Sequence, residues 1–138
     1  MPVMRFGVSV PGRLMDAFDK RIHAKGYRTR SEAIRDIIRD YLVEGEWEQH
    51  TGAVVGTITV VYDHATRELT HALTELQHQF HGAVCCSTHV HLDEHNCLEV
   101  IVVKGRAKVV QEIADQLIST RGVKHGRLVC TTTGRGLA

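Results

Sequence analysis

Two histidines and a cysteine stand closest to chemistry in this sequence: His89 and His91, two apart, and Cys97, six residues further on. Imidazole nitrogen with thiolate sulfur is the donor set of zinc, copper or nickel, and not of magnesium or calcium, which take oxygen. The surrounding residues are strand formers: Val90 and Leu92 precede a polar cluster at 93–96, and Leu98, Val100, Ile101, Val102 and Val103 follow it. Period-two alternation reads as two strands joined by a turn. Residues i and i+2 of a strand share a face, so His89 and His91 point together. Placing Val90 and Leu92 on the core face with Leu98, Val100 and Val102 sets His91 opposite Cys97. Cross-strand Cβ atoms lie about 4.5–5.5 Å apart, close enough for one ion. Hydrophobic pattern and ligand geometry thus choose the same register. Ile101 and Val103 then fall on the ligand face, which also needs cover, and a second subunit is the expected source. Three ligands leave a fourth position open.

The helix expected before this hairpin carries His71, His78 and His81, any of which can complete the set. Glu99, two residues beyond Cys97 and on its face, can orient a ligand imidazole. His95 in the turn reads as solvated. His50, His64 and His125 read as surface residues that bind excess metal weakly at most. Cys85 and Cys86 lie on the strand before His89, Cys85 reads as a core or interface thiol four residues from His89, and Cys130 reads as a small buried residue. Glu32 and Asp36, at i and i+4 on one helical face, read first as capping and surface charge.

Composition bounds the rest. With 138 residues the chain makes one ordinary domain or two small ones. It has no long apolar run and no charged-then-apolar leader, so cytoplasmic residence without membrane association is expected. Four cysteines show no disulfide framework. The net charge of +1 is unevenly placed: residues 1–42 hold nine Lys/Arg against five Asp/Glu, and residues 43–138 hold eight against eleven. The basic part suits nucleic acid.

The elements that must position these residues follow from periodicity. Over residues 4–10, Met4, Phe6, Val8 and Val10 form one strand face, and Arg5, Gly7 and Ser9 the other. Pro11 and Gly12 end the strand. A helix runs to about Lys25 with Leu14, Ala17, Phe18 and Ile22 on its stripe and Gly26 as C-cap. A second helix, capped by Ser31, spans 32–43 and is expected to bury Ala33, Ile34, Ile37, Ile38, Tyr41 and Leu42. One strand and two helices cannot hold a core alone. Pairing with the same strand of a second copy gives an antiparallel ribbon with Arg5, Gly7 and Ser9 outward, a shape that fits the DNA major groove. Arg28, Arg30 and Ser31 at the second helix's start suit phosphate.

Residues 1–43 therefore form a βαα domain, 44–52 a polar linker in which Trp47 packs, 53–133 a second domain, and 134–138 a tail. The second domain reads as a strand at 53–62, a helix at 66–81 (Leu69, Leu73, Leu76 and Phe80 inward) and the hairpin. A helix bearing Ala107, Val110, Ile113, Ala114, Leu117 and Ile118 and a last strand at 123–133 complete it. That order, βαββαβ, is the ferredoxin-like plan, and the fold class is α+β.

Residues 4–42 resemble the ribbon-helix-helix DNA-binding module, and Gly26-Tyr27-Arg28-Thr29-Arg30-Ser31-Glu32-Ala33-Ile34-Arg35-Asp36 is close to its helix junction in metal regulators. With His89-Val90-His91 and Cys97, the chain resembles the family of nickel-responsive transcriptional regulators over residues 4–132. The resemblance implies an ACT-like regulatory half and a nickel-dependent repressor rather than an enzyme. It implies a homotetramer, a dimer of dimers, on a double-stranded operator, with one Ni(II) per chain. The family's glutamine–histidine pair matches Gln77-His78, which implies His78 of a neighbouring chain as fourth ligand and Gln77 beside Glu99 in support. Glu32 and Asp36 match a site for a hard cation such as K+, closed by carbonyls near 118–123. Arg67 matches a residue at the DNA backbone, although its usual lysine neighbour is Thr66 here. Gly7 departs from the family's Thr or Ser and offers no side chain to a base. Two rival readings are a metalloenzyme with an open metal position and an antitoxin-like DNA binder whose second half holds another ligand. The first has only Glu99 as acid or base, and the register of His89, His91 and Cys97 counts against the second.

Overall fold

The computed structural model describes residues 2–49 and 52–138 and divides into two compact units, Met1–Tyr41 and Leu42–Ala138. Helix α1 spans Gly12–Ala24 and ends in a full Schellman turn. Gly26 sits at φ 93°, its N–H donates to His23 O, and the Tyr27 N–H donates to Ile22 O, both at 3.0 Å. Helix α2 spans Arg30–Gln49. Its cap is Thr29 and not Ser31: Thr29 Oγ1 accepts the Glu32 N–H at 3.2 Å, and Ser31 lies inside the first turn. Thr29 and Glu32 have the spacing of a capping box, which the choice of Ser31 overlooks.

Residues 4–10 are assigned no strand. A ladder needs a neighbour, and one chain supplies none. Met4 and Phe6 are 88% and 66% exposed. Burial in this unit also departs from expectation. Ile22 and Ala33 are buried, but Leu14, Ile37, Ile38, Tyr41 and Leu42 are exposed. The helices have the expected stripes, and this unit alone has too little to bury them against.

Helix α2 also continues past Val43, through the stretch read as a linker, to Gln49. Glu44, Glu46, Glu48 and Gln49 are good helix formers, and Gly45 costs only about 1 kcal/mol. Trp47 anchors this end. Its indole N–H donates to Thr131 O at 2.8 Å, and its ring packs on the core of the second unit. His50 lies outside the described residues.

The second unit has the expected order: β1 Val54–Asp63, α3 Glu68–Gln79, β2 Val84–His91, β3 Asn96–Gly105, α4 Ala107–Ile118 and β4 Val123–Thr131. The sheet order is β2-β3-β1-β4 with every pair antiparallel. Leu69 and Leu76 of α3 and Ala107, Val110, Ile113, Ala114 and Leu117 of α4 enter the core.

The register of the hairpin is the expected one, with His91 paired to Cys97 and His89 to Glu99. Its orientation is reversed. The helix-covered face carries Cys97, Glu99, Ile101 and Val103, all buried, with Val54, Ile58, Val60 and Tyr62 of β1. Leu98, Val100 and Val102 face the other way and are only partly buried. Two glycines decide the side. A Cβ on Gly56 would stand 2.7 Å from Val110 Cγ1, and one on Gly126 would stand 2.6 Å from Ile118 Cγ1. Glycines inside strands mark close approach by another element, here α4. Gly56 pairs with Val103 and therefore shares the face of Ile101, Glu99 and Cys97. The ligand face is thus covered by the chain's own helices, and the apolar residues left open lie on the opposite side, including Val90, Leu92 and Val129.

Candidate metal centre

The hairpin turn fixes two of the candidate ligands. Asp93 Oδ1 accepts the N–H groups of His95 and Asn96 at 2.8 Å each, and the Asn96 side-chain amide donates to both Asp93 oxygens. These donors hold the Asp93 carboxyl down at about 2. Lys124 Nζ donates to Asn96 Oδ1 at 2.7 Å and ties the turn to β4. The turn thereby locks the pairing that sets His91 Nδ1 3.6 Å from Cys97 Sγ.

Cys97 is fully buried, whereas His89 and His91 are exposed on the edge strand β2. The site is therefore half core and half rim. His89 Nδ1 stands 2.8 Å from Tyr62 Oη and 3.2 Å from Glu99 Oε1. Tyr62 Oη also donates to Glu99 Oε1 at 3.3 Å. Burial first, and then the nearby Glu99 carboxylate, push the Tyr62 phenol up to about 12, so it stays a neutral donor. A proton on Nδ1 suits the Glu99 carboxylate as acceptor, and that tautomer would leave the Nε2 lone pair for a metal. Glu99 thus meets the His89 imidazole from the buried side of the sheet.

One member of the donor cluster is not among the sequence candidates for the site. His64, read as surface, follows β1 and brings Nδ1 to 3.1 Å from Cys97 Sγ. Donor atoms of His64, His91 and Cys97 all lie within 4.8 Å of one another, the one such group of three among the described residues. The signal available was pairing: Asp63 lies opposite Asn96, so the next residue lands beside the ligand hairpin.

The other candidates lie apart from this group. His78 and Gln77 are exposed on α3, as are His71 and His81 nearby. Cys85 and Cys86 are exposed on β2, where a bulge shifts the register between Val84 and Cys86. Cys130 is exposed rather than buried. Asp36 accepts from Tyr27 Oη at 2.6 Å and from Arg39 Nη1 at 2.9 Å, and Glu32 Oε2 accepts the Arg28 N–H at 3.4 Å. Both carboxylates are thus engaged locally. Arg30 forms a two-pronged bond to Asp19, both contacts 2.8 Å, while Arg28 and Ser31 are exposed. Arg5, Gly7 and Ser9 are exposed in the unpaired segment, and a Cβ on Gly7 would meet nothing within 4 Å. Arg67 precedes α3 and is exposed.

Comparison with known proteins agrees with both units. Residues 4–45 match the ribbon-helix-helix protein family, copG type, and residues 55–131 match the NikR C-terminal nickel-binding domain. A protein of Thermococcus onnurineus named as a nickel-responsive regulator is 56% identical over 137 residues, covering 99% of each chain. One of Pyrococcus furiosus with the same name is 55% identical over the same shares, and one of Geobacter sulfurreducens is 57% identical over 97% of this chain and 96% of its own. The imidazole–thiolate donors fit nickel, and among the described residues no helix is long and apolar enough to cross a membrane. The chain belongs to the nickel-responsive regulators: it joins a ribbon-helix-helix DNA-binding module to a nickel-binding domain, and it is a regulator rather than an enzyme.

Proposed function

We propose that this chain is a nickel-dependent transcriptional repressor of the cytoplasm, working as a homotetramer on a double-stranded operator. His89, His91 and Cys97 of one chain hold Ni(II), one per chain, and His78 of a neighbour completes a planar set. The observation that carries this reading is the pairing of His91 with Cys97 beside that of His89 with Glu99, which puts His89, His91 and Cys97 on one face at the turn end of the hairpin. Because His89 and His91 stand exposed there, a neighbouring chain can reach them. Glu99 and Gln77 orient the ligands. Arg5 and Ser9 read bases from a ribbon formed by two copies of residues 4–10, with Gly7 leaving one position unread. Arg28, Ser31 and Arg67 take phosphates, and Arg30 joins them only by releasing Asp19. A hard cation such as K+ at Glu32 and Asp36 is a further part of the reading, and there Asp36 must exchange Tyr27 and Arg39 for the ion.

Joining chains through the metal restricts how the ribbons sit relative to one another, which favours the arrangement that meets both half-sites. The test is a titration of metal-free protein on its own promoter region, with and without one equivalent of Ni(II), following the thiolate-to-nickel charge-transfer band. Band and DNA affinity are expected to rise together. A band without a change in DNA affinity would leave the site standing and remove the coupling.

A further inference from the structure

Cys85 and Cys86 are adjacent, exposed and free, and nothing in the nickel reading uses them. We propose that this pair is a dithiol site for trivalent arsenic, in which both thiolates of one chain bind one arsenic atom. The site stands apart from the nickel reading and does not rest on it.

The strand itself releases the thiols toward one another. Neighbouring residues of a regular strand point to opposite faces, which would hold two adjacent thiols apart. Here the register slips between Val84 and Cys86: Val84 pairs with Val103, Cys86 pairs with Val102, and Cys85 is the extra residue. A bulge of this kind interrupts the alternation and re-aims a side chain, so the pair is no longer held on opposite faces. β2 is an edge strand, paired to β3 alone, and leaves the bulge open to solvent. Both side chains are exposed, so rotation about χ1 closes them on a ligand without moving the backbone.

The number of donors selects the ligand. Among the described residues, the one group of three or more histidine, cysteine or carboxylate donors that converges is His64, His91 and Cys97. No third donor of that kind joins Cys85 and Cys86, so the pair does not meet the needs of zinc, which takes three or four protein ligands. Two thiolates suit a soft centre that is satisfied by two. Two-coordinate Cu(I) sets its sulfurs in line across the metal, a span that thiols on adjacent residues reach poorly. Trivalent arsenic is pyramidal, bends the sulfurs toward one another, and closes a ring through the single peptide unit between the residues. The exchange needs no redox partner. In As(OH)3 two As–S bonds replace two As–O bonds, and the two thiol protons leave with the displaced oxygens as water. Arsenic keeps its third oxygen and its oxidation state. His89 stands three residues beyond Cys86, about 10 Å along a strand, so arsenic here leaves the nickel donors untouched.

The experiment uses full-length metal-free protein kept reduced with a phosphine, phenylarsine oxide as the probe in intact-mass measurements, and arsenite as its competitor. Wild-type protein is expected to gain one phenylarsenic unit per chain with the loss of two thiol hydrogens, and to release it to a small dithiol but not to a monothiol. Arsenite is expected to slow that gain. Cys85→Ser and Cys86→Ser are each expected to weaken the probe by roughly 100-fold or more, the advantage that joining two binding groups confers. Cys130→Ser should keep full binding, and circular dichroism checks the fold of all three variants. No adduct on the wild type overturns the proposal. An adduct that survives in both single variants also overturns it, because the arsenic would then sit on Cys97 or Cys130. So does an adduct that arsenite does not slow, because the protein would then be holding the aryl group rather than the arsenic.

Discussion

Glu99 is the residue on which the chemistry of the rim turns, because it is the carboxylate that meets a candidate ligand, His89, from inside the core. Glu99→Gln keeps the shape but replaces an acceptor-only group with an amide that presents a donor as readily, and the proton on His89 Nδ1 is no longer dictated. Nickel affinity is expected to fall roughly 10–100-fold, measured by chelator competition against the charge-transfer band. An unchanged affinity would show that His89 sets its tautomer elsewhere. Asp93 gives a prediction in pH. Its folded carboxyl lies near 2 against an ordinary value of 3.8, so it contributes stability above pH 3.8 that disappears as pH falls through about 2. The Asn96 amide resonance should shift through that window in wild-type protein and stay still in Asp93→Asn, with nickel absent. Most of this chemistry was legible. His-x-His with cysteine in register comes directly from strand parity, and Glu99 from its position two residues on. His64 was not, because nothing in its own neighbourhood marks it. Its place beside Cys97 depends on the pairing of β1 with β3, a contact between residues more than thirty positions apart.

At the scale of elements, two glycines carry what the apolar pattern leaves ambiguous. Both faces of β1 and β3 are apolar, so alternation fixes which residues share a face without fixing which face meets the helices. Counting favours Leu98, Val100 and Val102 with Val90 and Leu92, and counting chooses wrongly. Gly56 and Gly126 resolve it, since α4 approaches so closely that a methyl group at either position meets Val110, Leu128 or Ile118 below 3 Å. Gly56→Ala is therefore expected to lower stability by about 1–3 kcal/mol, seen as a lower urea midpoint at unchanged slope. Val110→Ala in the same chain should return part of that loss, a non-additivity expected only of residues in contact. A neutral Gly56→Ala would mean that α4 does not lie over β1 as described. The end of α2 teaches a related lesson. Acidic residues with a glycine read as a linker, yet the same glutamates are good helix formers, and Trp47 supplies the anchor by donating to Thr131 O. Tertiary packing, and not local composition, sets where that helix stops.

At the scale of the molecule, the first unit leaves much of its apolar stripe open, as its length and pattern lead one to expect. Phe6, Val8 and Leu14 are 66%, 71% and 61% exposed, and Ile37 and Tyr41 are open as well, an apolar surface of the kind that marks an interaction site. Phe6→Asp places a charge where a second copy must pack. It is expected to abolish ribbon pairing and operator binding, by sedimentation and by DNA titration, while nickel still gives its charge-transfer band in the separate second unit. Operator binding in the wild type should weaken with salt, by a slope of about 0.9 in log–log form for each phosphate neutralised. Coupling between the two units has a stricter consequence. If nickel raises operator affinity by some factor, operator DNA must raise nickel affinity by the same factor, because both describe one free-energy difference between arrangements. Nickel affinity should therefore be measured with and without saturating operator, in wild type and in Phe6→Asp. Equal factors in the wild type and none in the variant are expected. Unequal factors would mean that DNA and nickel act on different populations of the protein, and a surviving effect in Phe6→Asp would mean that DNA reaches the metal domain without passing through the ribbon.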